Sequence, residues 1–172
     1  MNFWNKTLLL VAITATCIGC DRVTKDYAKQ NLVVPQPRSY FHGTVQLQYE
    51  ENPGGMMSIG AHLSESVRFL LLTVFVGVCL LMFLLFALAN QRLRQAQIIG
   101  ISMILGGGCG NLFDRLANDG MVIDFIILRA GQLHTGVFNV ADVSILSGVV
   151  VLLFLRSHRA PTARPAEKLP AE

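Results

Sequence analysis

Residues 69–89 run from Phe-Leu-Leu-Leu-Thr to Leu-Ala without a single charged side chain. Hydrocarbon about 30 Å thick takes roughly 20 apolar residues as a helix, the geometry that lets one segment satisfy its own backbone N–H and C=O groups away from water. A run of this length commits the chain to a membrane. Three more segments follow the same logic. Residues 96–113 are uncharged, with glycines gathered near the end. Residues 7–20 are shorter but extended outward by Phe3 and Trp4, which suit the headgroup layer. Residues 137–155 carry only Asp142. Composition agrees: charged residues make up 15% of the 172, against about 25% in a soluble domain. Disorder, a coiled coil and a disulfide scaffold are excluded, the last because four Cys are no enrichment at this length. A net charge of +3, scattered along the chain, gives nucleic acid nothing to bind.

Short basic flanks set the orientation, since Lys and Arg stay on the cytoplasmic side. Arg92 and Arg94 lie between the second and third spans, Arg156 and Arg159 follow the fourth, and Lys6 precedes the first. The longer loops, 21–66 and 114–136, mix acids and bases. The expectation is a mainly α membrane protein of four transmembrane helices, with both termini inside (N-in/C-in) and both long loops outside. The domain spans residues 1–158; a Pro- and Ala-rich tail, 159–172, is expected to be disordered and cytoplasmic. Thr44-Val45-Gln46-Leu47-Gln48-Tyr49-Glu50 alternates polar and apolar, the period of a half-buried strand, and Met121 to Ile123 with Phe125 to Leu128 form a second candidate. A small extracytoplasmic β-rich region follows.

Polar groups are costly in and near a span, so their placement is informative. Asp21, Asp114, Asp124 and Asp142 all fall at the expected outer boundary, and no acid falls at the inner one. That one-sidedness points to a site on the outer face. Asp21 and Lys25 are one helical turn apart and read equally as a simple ion pair or as part of a motif. Asn111, Asp114 and Arg115 share a helix face at the end of the third span, where a polar terminus with a snorkelling Arg is the plain alternative. Asn139 and Asp142 have the spacing of an N-cap and its N3 acid. Asp124, set among Val122, Ile123, Phe125 and Ile126, has no such structural excuse.

Other chemistries drop out. The glycines at 106, 107, 108 and 110 lack the Lys-Ser/Thr of a phosphate loop and read as close helix packing. There is no His-Glu-x-x-His, no metal site is expected, and no His falls within a span. Cys17-x-x-Cys20 stands alone and reads as packing; Lys6, the apolar stretch and Ile18-Gly19-Cys20 also read as a lipoprotein signal peptide, but three more spans follow.

Asp21-x-x-Thr24-Lys25, Asn52-x-Gly54, Gly106-Gly107-x-x-Gly110-Asn111-x-x-Asp114-Arg115, Val122-Ile123-Asp124-Phe125 and Phe138-Asn139-x-Ala141-Asp142, in this order on a four-span chain, strongly resemble the lipoprotein signal peptidases, the signal peptidase II enzymes of bacteria. The resemblance implies a cofactor-free aspartyl endopeptidase of the inner membrane, active at its outer face, which cuts prolipoproteins just before a Cys carrying a diacylglyceryl group. It implies Asp124 and Asp142 as catalytic dyad; Asn52, Gly54, Asn111, Asp114, Arg115, Asn139 and Ala141 as lining or supporting residues; and Asp21 and Lys25 in a structural role. The partners are then diacylglyceryl-prolipoproteins and membrane lipid, with a monomer expected and the oligomeric state open. Two departures bear on substrate preference: the chain reads Asn52-Pro53-Gly54-Gly55-Met56-Met57 where the family usually has Asn-x-Gly-Ala-Ala-Phe, and the connection from Arg115 to Asp124 is slightly long.

Elementary chemistry agrees. Peptide hydrolysis needs a base for water and an acid for the leaving amine, and two carboxylates sharing one proton supply both. The rival readings are a lipoprotein-binding protein of the same fold without catalysis, and a small transporter or channel subunit, which would need polar residues deeper in the spans.

Overall fold

A computed structural model describes residues 2–33 and 36–157. Four helices carry the fold: α1, Phe3–Asn31; α2, Glu65–Ala89; α3, Gln95–Ala117; and α4, Val140–Ser157. The first three are long and apolar enough to cross a membrane, and the apolar part of α4, Val140–Leu155, is shorter. Helix α2 is α-helical at both ends with a π-helical stretch, Phe69–Phe75, between them. The expected tail, 159–172, lies outside the described residues.

Helix α1 continues well past Cys20, where the sequence reading ended the first span. Asp21 and Lys25 do not stop it because both are buried and paired, and Ala28 and Leu32 then carry the same face into a small core with Phe125. Its start is capped by Asn2, whose side chain accepts from the Asn5 N–H at 2.9 Å. Near that end Lys6 is buried, and its Nζ donates to the carbonyls of Leu88 (3.0 Å) and Asn90 (3.2 Å), neutralising the negative end of α2.

Helix α3 is the centre of the bundle, and its glycines are the reason. A Cβ at Gly106 would strike Cys17 and Thr14 of α1; one at Gly107 would strike the Ala141 carbonyl of α4; one at Gly108 would meet Leu80 of α2. Three neighbours approach one helix on three sides, so the run is a packing node, as its composition suggested.

Four antiparallel strands form one sheet in the order β1 (Arg38–Tyr40), β2 (Val45–Asn52), β3 (Val122–Ala130) and β4 (Leu133–His134). The two central strands match the two candidates, and β3 runs unbroken through Asp124. The sheet rests against the Asn31 end of α1 through Ala28, Leu32, Phe125, Leu47 and Tyr49.

Candidate functional site

The site begins with a slip in register. Val45, Gln46 and Leu47 pair with Leu128, Ile127 and Ile126, but beyond them Glu50 faces Asp124 and Asn52 faces Val122, so β2 holds one extra residue. Side chains alternate along a strand, and without that bulge Asn52 would point away from the face that Asp124 occupies. With it, Asn52 Nδ2 donates to Asp124 Oδ2 at 2.9 Å. Asn52 Oδ1 in turn accepts from the Gly54 N–H at 2.9 Å, closing a tight turn. Gly54 admits no side chain: a Cβ there would lie 2.6 Å from the backbone of Ser58. The replaced Met56 sits beyond this turn, exposed.

Asn139 joins the two acids. Its Nδ2 donates to Asp124 Oδ1 at 2.7 Å and also approaches Asn111 Oδ1 (3.0 Å) and the Ile123 carbonyl (3.2 Å). Its Oδ1 accepts from the Asp142 N–H (3.0 Å), while Asp142 Oδ2 accepts from the Asn139 N–H (3.1 Å). The N-cap expected from spacing is therefore made, and it does not exhaust Asp142, whose Oδ1 accepts from Asn111 Nδ2 at 2.9 Å. One cap thus orients a carboxylate and ties it to a second one on another element.

Behind this pair lies a cluster of charges. Lys25 Nζ reaches Asp21 Oδ2 (2.8 Å), Asp114 Oδ2 (2.7 Å) and Asn111 Oδ1 (2.9 Å), and the three charged side chains are fully buried. Asp21 Oδ1 accepts from the Ala141 N–H at 3.0 Å, and Asp114 Oδ2 accepts from the Ile123 N–H at 3.2 Å. The cluster therefore fixes the start of α4 and the start of β3, the residues beside each acid. Gly110 leaves room for it, since a Cβ there would lie 2.5 Å from Asp21 Oδ2. Arg115 Nη2 donates to the Gly54 carbonyl at 2.9 Å, so it braces the Asn52 turn through backbone and touches neither acid of the pair.

Burial lifts the Asp124 carboxyl from the usual carboxylate range to about 6; the Asp142 charge adds to the lift, while the Asn52 and Asn139 amides and the Lys25 ammonium oppose it. A cavity of about 330 Å³ opens onto Asp124, lined also by Glu50, Asn52, Ser58, Arg129 and His134. Among the described residues no group of three or more His, Cys, Asp or Glu side chains is placed to hold a metal ion.

Comparison with known proteins places the chain in a family. The family model described as "Signal peptidase (SPase) II" matches residues 13–157. The chain belongs to the signal peptidase II family. It is 35% identical over 170 residues to a lipoprotein signal peptidase of Gloeobacter violaceus, covering 96% of this chain and 90% of that one. It is 34% identical to one from Desulforapulum autotrophicum, covering 84% and 89%. A solved structure of a bacterial membrane enzyme aligns with a TM-score of 0.76 at 21% identity, over 92% of this chain and 94% of that one.

All eleven residues singled out in the sequence converge on this end of the bundle. The reading passed over Arg22, whose guanidinium pairs with Asp114 and lies 4.9 Å from the Phe113 ring. The signal was a third charge beside Asp21 and Lys25. It also passed over Thr73, the sole hydroxyl in the 69–89 run. The longer connection closes in a tight turn, with Asp119 (φ 51°) and Gly120 (φ 85°) both left-handed.

Proposed function

We propose that this chain is an intramembrane aspartyl endopeptidase that removes the signal peptide of diacylglyceryl-modified prolipoproteins by cutting before the lipidated Cys. The observation that carries the reading is Asn139 holding Asp124 and Asp142 together, with the Asp124 carboxyl lifted to about 6. In this reading the two acids share one proton. The ionised carboxylate takes a proton from water, and the resulting hydroxide attacks the scissile carbonyl carbon. The protonated carboxyl gives its proton to the carbonyl oxygen, and the tetrahedral diol then collapses as a proton passes to the leaving amide nitrogen. Asp114 is a poor rival for the dyad: it is fully buried, and its oxygens are taken by Lys25, Arg22 and the Ile123 N–H.

The reading includes four spans, with α4 as the shortest, both termini in the cytoplasm, and the sheet and acids at the outer face of the bacterial inner membrane. The peptidase domain is residues 1–158. Lys6 and the Arg92–Arg94 loop at the opposite end from the acids support that orientation.

The test is cleavage of a diacylglyceryl prolipoprotein by the purified chain, read on a gel. Wild type should cut, and Asp124→Asn and Asp142→Asn should each be inactive while still inserting and folding. The double variant should be no worse than either single one, because the pair acts as a unit. Binding without cleavage by wild type would favour the non-catalytic reading. Cleavage by Asp124→Asn with loss in Asp114→Asn would move the dyad to Asp114 and Asp142.

A further inference from the structure

The Glu65 end of α2 and the Ala117 end of α3 flank a second cavity, of about 470 Å³, lined by Glu65, Arg68, Phe69, Thr73, Arg115 and Asp119 among others. Two of its lining side chains hold polar hydrogens that find no partner among the described residues. Thr73 is only 5% exposed, and its Oγ1 finds no partner among the described residues. Arg115 commits Nη2 to the Gly54 carbonyl and Nη1 to that of Asn111, and its buried Nε has none. A helical threonine ordinarily returns its hydroxyl to the carbonyl four residues back, as Thr7, Thr16 and Thr24 do in α1. Thr73 does not; it lies in the π-helical stretch Phe69–Phe75, a geometry that recurs at functional sites. Buried donors are normally satisfied, so two on one wall point to an acceptor brought by a ligand.

The charges narrow the ligand. Glu65 and Asp119 balance Arg68 and Arg115, and Arg68 is already donating to the Ala61 and Leu63 carbonyls, so the cavity offers an anion no net attraction. Neutral acceptors attached to apolar chains fit better, between Phe69 and Leu116. Ester carbonyls at the head of two acyl chains have that chemistry. Arg115 is also the wall shared with the acids, since it holds Gly54, two residues from the Asn52 that grips Asp124.

Building on the peptidase reading above, we infer that this cavity seats the diacylglyceryl group of the substrate cysteine, with the Thr73 hydroxyl and the Arg115 Nε–H donating to its ester carbonyl oxygens. Thr73 is then a specificity-determining residue. It makes the enzyme read the ester linkage and not acyl chains alone.

Host lipid carries the same esters, so the experiment separates the two sources. The full chain is placed in nanodiscs of ether-linked lipid and given two prolipoprotein peptides, one with a diester and one with a diether glyceryl group on the Cys. The diester KM should be lower by at least about tenfold, because the diether forfeits one neutral and one charge-assisted hydrogen bond. Thr73→Val should remove about threefold to tenfold of the preference, one neutral hydrogen bond, by raising the diester KM, and Thr73→Ser should restore it. Equal KM values for wild type, or a Thr73→Val that weakens both substrates alike, would overturn the inference. So would a Thr73-dependent change that follows a switch to ester-linked disc lipid and not the substrate. Cleavage of neither peptide by wild type would instead sink the peptidase reading itself.

Discussion

Asp124 and Asp114 are the same residue type, both buried, in opposite circumstances. Asp114 is met by Lys25 and Arg22, so its charge is neutralised in place. Asp124 is met by two amides, which donate to it without cancelling its charge. Perturbed carboxylates of the second kind are where chemistry is found. The perturbation has a measurable sign. Below about pH 4 the Asp124 carboxyl is protonated folded and unfolded alike, and no penalty exists. Between there and about 6 the unfolded chain ionises first, so folding loses stability as pH rises, and above 6 the loss is complete. Asp124→Asn does not titrate. It should therefore be more stable than wild type by about 2–3 kcal/mol at pH 8, with the gain vanishing near pH 4. Thermal unfolding in detergent across that range checks it; a gain independent of pH would show that burial does not perturb this carboxyl.

Among the elements, α1 and β2 show what a sequence can and cannot disclose. The apolar stretch of α1 and the alternation of β2 were legible because each is a local period. The length of α1 was not, because Asp21 and Lys25 look like a helix end until Asp114, about ninety positions away on α3, is seen to pair with Lys25. The bulge in β2 was equally hidden: it is set by pairing with β3, yet it alone turns Asn52 toward Asp124. The glycines of α3 were legible as packing, though their division among three neighbours was not. The buried cluster yields a prediction at this scale. Lys25→Ala leaves Asp21 and Asp114 with Arg22 as their one cation among the described residues, and unpairing buried charge costs about 3–5 kcal/mol. The variant should melt well below wild type in detergent, with Asp21→Asn recovering part of the loss. An unchanged melting temperature would mean that water reaches the cluster.

At the scale of the whole molecule, every residue proposed for chemistry lies at one end of the bundle, and the opposite end carries Lys6 and the Arg92–Arg94 loop. Reporter fusions at Gln91 should register cytoplasm and fusions at Gly131 the outside; a reversal would move the acids to the other face of the membrane. The five short motifs that carried the family resemblance converge on this one end through contacts that join separate elements. The cavity at Thr73 was not readable, because an unpaired hydroxyl is a property of packing and leaves no trace in composition.

Lys6 and Lys25 lie on one helix, both buried, one holding the end of α2 and the other joined to Asp114 near the end of α3. Between them α1 rises about 28 Å, close to the roughly 30 Å of a bilayer's hydrocarbon. A helix fastened to its neighbours at two points this far apart cannot slide or lean against them to suit a thinner or thicker leaflet pair. The molecule is in effect a gauge of fixed length, and a bilayer of another thickness is met by tilting the whole bundle or by local deformation of the lipid. In the peptidase reading, a lipid-linked peptide approaching through the bordering lipids would then meet the two acids at a height set by the protein and not by the surrounding composition.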